Sequence, residues 1–346
     1  MKMKQFNIPA LDKAKMQEAQ TYIDSLTKPP GSLGRLEELA IALASMTREL
    51  KPNIQPASLV FCADHGIYEE NVSASPQEVT YEMAINMVEG GAGISVFSDM
   101  IGAPLSVYDL GIVRPVPNEK VINRRVREQG TANFLKGPAM TQAEAWQAIE
   151  VGYEAAKEAI ANGAGCLIVG ELGICNTTPS SAILAAILNI DPEIVVGRGS
   201  GINNEQLVHK TNVCRRAIAL HQPDTSNAIE LLSTIGGLDI AGMTGAIIGA
   251  AENRTPVLLD GFICTVAGIL AELLAPGAKN YMILSHDSVE QGHQVAATYL
   301  GKKALVQLDL RLGEGTGAAI TYPLLQAAMA MVCNMKTFES ASVSQK

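Results

Sequence analysis

A carboxylate held between glycines is the position in this chain best equipped for chemistry. The run Leu308-Asp309-Leu310-Arg311-Leu312 leads into Gly313-Glu314-Gly315-Thr316-Gly317, and a small-residue helical segment follows at once. Glycine on either side lets the backbone take positive φ and approach a ligand closely, so the turn presents Glu314 with little steric cover. A carboxylate so placed serves as a general base, a ribose anchor or a metal ligand, and residue type alone leaves all three open.

The second chemical element is the loop Gly170-Glu171-Leu172-Gly173-Ile174-Cys175-Asn176-Thr177-Thr178-Pro179-Ser180-Ser181. It follows the apolar run Cys166 to Val169, and Pro179 suits the first position of a helix with Thr178 as its N-cap. Free backbone N–H groups and the helix dipole favour negative charge there, so this glycine-containing loop with its hydroxyl and amide side chains is an anion-binding candidate suited to a phosphate monoester. An ordinary capped helix has the same pattern. Positive charge for the anion is available from Lys210, in His209-Lys210-Thr211-Asn212, and from Arg198, in Gly197-Arg198-Gly199-Ser200-Gly201. Asp260, in Leu258-Leu259-Asp260-Gly261-Phe262, ends a further apolar run and is expected near Glu171 and Glu314.

Other patterns narrow the chemistry. Asp64-His65-Gly66 and Ser285-His286-Asp287, with His293 beyond, pair histidine with aspartate, but the third ligand and the spacing of a metal site are missing. Hydrogen-bonded loop scaffolding is the plainer use of such pairs. Gly-x-x-x-x-Gly-Lys-Ser/Thr does not occur, which argues against a nucleoside triphosphate. Gly197 to Gly201 and Gly313 to Gly317 read G-x-G-x-G and come late in the chain, so they do not make the dinucleotide fingerprint.

These residues need a frame. Six runs rich in Val, Ile, Leu and Cys end in a polar residue and a loop: Ser58 to Asp64, Leu105 to Asp109, Cys166 to Glu171, Pro256 to Asp260, Tyr281 to His286 and Ala304 to Asp309. Alanine-rich segments with helical spacing lie between them, such as Glu144 to Ala161, Ser180 to Leu188 and Thr265 to Leu274. Continuous apolar strands alternating with helices predict an α/β fold, a doubly wound and mostly parallel sheet of about six strands. Active sites of such sheets lie at the carboxyl ends of the strands, where Glu171, Asp260 and Glu314 fall.

The ends of the chain read differently. Ala10 to Leu26, Gly34 to Leu50 and Pro323 to Met335 are amphipathic helix candidates, with Pro29-Pro30-Gly31 and Lys51-Pro52-Asn53 breaking the first two. The expected division is a small helical domain from residues 1–55 with 323–346, beside a Rossmann-like α/β domain over 56–322. Residues from about Thr337 onward read as a Ser-rich, frayed tail.

At 346 residues the chain buries a substantial core without staples. A net charge of −9 argues against a nucleic-acid surface; the one basic cluster, Arg124-Arg125-Val126-Arg127, is short, has acidic neighbours and reads as a solvated helix face. The six cysteines, Cys62, Cys166, Cys175, Cys214, Cys264 and Cys333, form no CxxC pair and read as reduced thiols. The first fifteen residues hold no apolar signal core, and the apolar stretches are broken by Gly, Asp or Pro before they could span a bilayer. A soluble cytoplasmic protein is the expectation.

Taken together, the chain resembles the nicotinate-nucleotide-dimethylbenzimidazole phosphoribosyltransferases of cobalamin lower-ligand assembly. The motifs that carry the resemblance are Lys28 to Glu37 (KPPGSLGRLE), Ala63 to Gly66 (ADHG), Pro76 to Thr80 (PQEVT), Gly130 to Phe134 (GTANF) and Gly137 to Thr141 (GPAMT). Gly170 to Ile174 (GELGI) with Asn176 to Thr178 (NTT), Leu258 to Phe262 (LLDGF) and Arg311 to Gly317 (RLGEGTG) complete the set. They span nearly the whole chain.

The resemblance implies a doubly wound sheet, a helical domain from both termini and a homodimer. It implies transfer of 5-phosphoribosyl from nicotinate mononucleotide to 5,6-dimethylbenzimidazole, yielding α-ribazole 5′-phosphate and nicotinate with inversion at C1′. Glu314 is then the general base and Glu171 lies close to the base pocket. Gly173, Asn176, Thr177 and Lys210 hold phosphate and ribose, and Asp260, Gln77 and Leu312 complete the substrate contacts. Met83 and Met87 are flexible wall candidates for the base, with Ile85 where better-known members carry a polar residue. No cofactor is implied, because the phosphate is a spectator monoester and not a pyrophosphate leaving group that would call for Mg²⁺. The alternatives are a nucleotide-dependent oxidoreductase and a non-catalytic nucleotide-binding protein on the same fold, for which a poised base has no use.

Overall fold

The computed structural model describes residues 5–344. From the amino end the chain forms α1 (Lys13–Asp24), α2 (Arg35–Thr47), β1 (Pro56–Ala63), α3 (Glu78–Val88), α4 (Gly93–Met100), β2 (Leu105–Gly111) and β3 (Val121–Asn123). There follow α5 (Gln142–Ala161), β4 (Cys166–Leu172), α6 (Thr177–Leu188), α7 (Asn204–His221), α8 (Ala228–Ile235) and α9 (Leu238–Glu252). The last third holds β5 (Val257–Leu259), α10 (Phe262–Leu274), β6 (Met282–Leu284), α11 (His293–Leu300), α12 (Thr316–Asn334) and α13 (Phe338–Ala341).

The six strands form one sheet in the order β3-β2-β1-β4-β5-β6, every pair parallel. All residues of β1, β4, β5 and β6 are buried, as strands covered on both faces require. The winding reverses between β1 and β4. Connections leave that point in opposite directions, so a crevice opens beyond the carboxyl ends of the strands, where Asp64, Gly173, Asp260 and His286 stand.

Helices α5 and α9 pack on each other through glycine contacts. A Cβ on Gly152 of α5 would stand 1.8 Å from the Gly242 carbonyl oxygen of α9, and one on Gly245 of α9 would stand 1.9 Å from the Ile149 oxygen of α5. Only bare backbone fits there. The two helices cross in direct backbone contact, and α9 is buried from Leu238 to Ala251.

Both ends of the chain meet in one helical layer. Helix α2 packs against α1 and α12, and Leu26 bridges Thr337 with Thr27 N–H donating to the Lys336 oxygen at 3.0 Å. Beneath them Lys28 and Glu37 form a buried ion pair at 2.9 Å. The Lys28-to-Glu37 motif therefore closes the loop between α1 and α2, since Glu37 also accepts from Gly31 and Leu33 N–H groups.

Several expectations need correction. Ala304 to Asp309 is not a strand; Leu305 and Val306 run beside the end of β6, with Leu305 N–H donating to the Leu284 and Ser285 oxygens and Val306 bridging His286, but no strand forms. The sixth strand is Val121–Asn123, at the opposite edge. Helix α6 begins at Thr177 with Asn176 as N-cap, so Pro179 sits inside its first turn. Helix α12 starts at Thr316 and runs through Pro323, placing residue 323 within one helix.

Thr337 caps the short helix α13 where a frayed tail was expected, and residues 345–346 lie outside the described part. Arg125 and Arg127 follow β3 in a loop and are engaged by Asp109 and Glu144. Five cysteines are buried and Cys333 is exposed, all of them free. Among the described residues α12 alone is long and apolar enough to cross a membrane, and 61% of that stretch is buried within the protein.

Candidate active site

A cavity of about 390 Å³ lies beyond the carboxyl ends of β4, β5 and β6. It is lined by Glu171, Gly173, Asn176, Thr177, Lys210, Asp260, Leu312 and Glu314, which the sequence had marked one by one. Gln77 stands apart. It is the N-cap of α3 and lines a neighbouring hollow with Glu69, Arg127 and Asn133. Helix α3 instead sends Val79 and Met83 to the main cavity, while Met87 is buried in the core.

Glu314 sits in three consecutive residues of positive φ, with Gly313 at 87°, Glu314 at 66° and Gly315 at 94°. A side-chain residue in that region is strained by about 1–3 kcal/mol, so the neighbourhood must hold it there. It does so from three directions. Asp260 accepts from Gly315 N–H at 3.0 Å and from Ala318 N–H at 3.2 Å, clamping the start of α12. The Ile94 N–H, at the first turn of α4, donates to Glu314 Oε2 at 3.2 Å. The strand β4 provides Gly170, where a Cβ would lie 2.1 Å from the Glu314 carbonyl oxygen.

Burial raises the Glu314 carboxyl above its ordinary range, with the Ile94 N–H pulling the other way and the Asp260 charge adding to the rise. A carboxylate so treated is a better base than one in water. Asp260, by contrast, spends its two oxygens on the α12 backbone, and its Oδ1 lies 3.3 Å from His286 Nε2. It acts as a support for the Glu314 turn.

Glu171 ends β4, next to that turn. Its Oε1 accepts from the Glu314 N–H at 3.4 Å, and its Oε2 accepts from Asn176 Nδ2, which also donates to Asp239 Oδ2 at 3.1 Å. Asp239 Oδ1 in turn lies 3.2 Å from His65 Nε2. Burial first, and the Asp239 charge second, push the Glu171 carboxyl up to about 8. Burial and the Asp239 charge thus favour the neutral form of Glu171, next to the Glu314 carboxyl.

The other end of the cavity is cationic. Lys210 of α7 is fully buried, and its ammonium donates to Thr177 Oγ1 at 2.7 Å and to the Gly197 oxygen at 3.2 Å. One of its three N–H donors remains for a ligand. Thr177 opens α6, so the helix dipole and the ammonium act on the same point. Arg198 does not reach this site; its guanidinium donates to the Ile202 oxygen in its own loop and to Asn204 at the start of α7.

Sequence reading missed Ser200, Ser288, Glu290 and Arg311 on the cavity wall. Arg311 lay within a quoted motif, but nothing in residue type separated it from other surface arginines. Leu312 is 61% exposed at the rim. Among the described residues no group of three or more His, Cys, Asp or Glu is arranged to hold a metal ion.

Comparisons with known proteins identify the chain's relatives. A family model described as phosphoribosyltransferase matches residues 8–343. The nicotinate-nucleotide-dimethylbenzimidazole phosphoribosyltransferase of Desulforamulus reducens is 44% identical over 342 residues, covering 98% of this chain and 97% of its own. That of Chloroflexus aggregans is 46% identical over 341 residues, with 98% and 97% covered. The crystal structure of the enzyme of that name from Thermus thermophilus superimposes with a TM-score of 0.91 at 40% identity, covering 97% of this chain and all of that one. On these grounds the chain belongs to the nicotinate-nucleotide-dimethylbenzimidazole phosphoribosyltransferase family.

Proposed function

We propose that this protein transfers the 5-phosphoribosyl group of nicotinate mononucleotide to 5,6-dimethylbenzimidazole, releasing nicotinate and forming α-ribazole 5′-phosphate. The observation that carries the reading is one cavity with two unlike ends. Thr177 and Lys210 meet at the cationic end, and Ile94, Glu171 and Asp260 surround Glu314 at the other.

A phosphate at the Lys210 end directs the ribose toward the carboxylates, with Gly173 and Asn176 in the loop between. The glycosidic nitrogen of nicotinate mononucleotide is already a pyridinium, so nicotinate leaves with a neutral ring nitrogen and requires no general acid. Positive charge grows at C1′ as that bond lengthens, and the Glu314 carboxylate offsets it. The incoming benzimidazole attacks from the opposite face, which inverts C1′ from β to α. Attack through one ring nitrogen leaves the heterocycle cationic until its other N–H is removed, and Glu314 takes that proton. Met83 and Leu312 supply adaptable apolar walls for a flat bicyclic base. A homodimer belongs to the same reading, and light scattering on the purified protein tests it.

The deciding experiment incubates the protein with nicotinate mononucleotide, the base, or both, and follows free nicotinate. Release only with both present is expected. Release from the nucleotide alone would make the protein a nucleosidase, and binding without release would make it a carrier.

A further inference from the structure

One carboxylate in the cavity has no part in the chemistry above. Glu290 follows Ser288 in the loop between β6 and α11, and its Oε2 is shut off from solvent with no hydrogen-bond partner among the described residues. It lies at the cationic end. A Cβ on Gly197 would stand 2.2 Å from that oxygen, and the same Gly197 offers its carbonyl to Lys210. The absence of a side chain at 197 is what lets an acid reach so near the ammonium.

The charges facing Glu290 are Lys210 from α7 and Arg311 from the segment before α12, with the Gly199 N–H beside them. Burial raises its carboxyl above the ordinary range despite all three. Two cations and one carboxylate leave room for a single negative charge. A phosphate monoester brings two above its second ionisation at about pH 6, so a site with ionised Glu290 would hold an uncompensated buried charge. Like charges in contact are relieved by protonating one of them.

We propose that Glu290 is a proton-coupled phosphate ligand: it takes a proton from solvent as the phosphate enters and holds it as an O–H donor to a phosphoryl oxygen. The two cations then balance the dianion, and the proton returns to solvent when the product leaves. This inference rests on the phosphate reading of the Lys210 end. It makes Glu290 a selector for dianionic ligands.

Calorimetry at pH 8 in two buffers of different ionisation heat tests it, with nicotinate mononucleotide and with sulfate, which cannot itself accept the proton. Uptake of about one proton per bound anion is expected for both, together with a Kd that weakens by about tenfold per pH unit above neutrality. In Glu290→Gln, whose amide still donates, uptake vanishes and the Kd becomes flat with pH. Sulfate binding to the wild-type protein without uptake overturns the inference with no variant needed. So does Glu290→Gln binding that weakens equally at every pH, the signature of a ribose anchor. Failure of both ligands to bind would remove the phosphate reading itself.

Discussion

At the scale of single residues, Glu171 at the end of β4 and Glu314 in the turn before α12 are set apart by environment. Glu314 has to be ionised to act as base, while burial and the Asp239 charge push the Glu171 carboxyl up to about 8. Glu314→Gln preserves size and the contact with Ile94 but cannot take a proton. Its turnover is expected to fall by about 10²- to 10⁴-fold with an unchanged circular dichroism spectrum. Activity within a few-fold of wild type would remove Glu314 from the role. For Glu171 the sign of the pH effect follows from linkage. A carboxyl whose folded pKa lies above its unfolded value near 4.5 gives stability that is fully present below that value and is lost as pH rises through about 8. Wild-type melting temperature should therefore drop between about pH 5 and 8, and Glu171→Gln should flatten that drop. Parallel curves for the two proteins would show that Glu171 is already ionised in the fold. Glu171 and Asp260 were readable because each broke an apolar pattern at a strand end, and Glu314 because glycines flank it. The positive φ of Glu314 and the path from Glu171 through Asn176 to Asp239 were not, since both depend on backbone placed by distant segments.

At the scale of elements, the sheet was legible where strands are buried on both faces and obscure where they are not. β1 and β4 are unbroken apolar runs, whereas β3 has three residues at the edge, ahead of a charged loop. Ala304 to Asp309 has a strand's composition, but its pairing with the end of β6 is confined to Leu305 and Val306 and stops short of a ladder. Pro323 misled for a related reason. A proline costs a helix interior about 3 kcal/mol in isolation, and burial along α12 outweighs that. The α5–α9 contact gives the sharpest element-level test. Gly245→Ala sets a methyl group 1.9 Å from a backbone oxygen that no rotamer change can move. The helices must separate, with a loss of about 1–3 kcal/mol or more, read as a lower urea midpoint at unchanged slope. Gly163→Ala is the control for crowding, since nothing lies within 4 Å of its Cβ. Its φ of 102° still costs strain, so equal losses in both variants would mean that packing between α5 and α9 contributes little.

At the scale of the molecule, α12 joins the site to the ends of the chain. Its first residues carry the Asp260 clamp beside Glu314, and its 19 residues, roughly 28 Å at 1.5 Å each, end in the layer with α1 and α2. Such a helix cannot let one end melt while the other keeps its geometry. Leu43 of α2 is wholly buried in the core and is remote in sequence from every cavity residue. Leu43→Ala is expected to cost about 2–5 kcal/mol, the range for emptying a buried leucine site. Because α12 is shared, that loss should lower one cooperative transition. Trp146, the only tryptophan, reports from α5 on the sheet, and far-UV circular dichroism reports from all helices. Their melting curves should coincide in wild type and in the variant, and saturating nicotinate mononucleotide should raise both together. If the dichroism of Leu43→Ala fell at a lower temperature than the Trp146 signal, the helical layer would be unfolding independently. The site would then be positioned by the sheet alone.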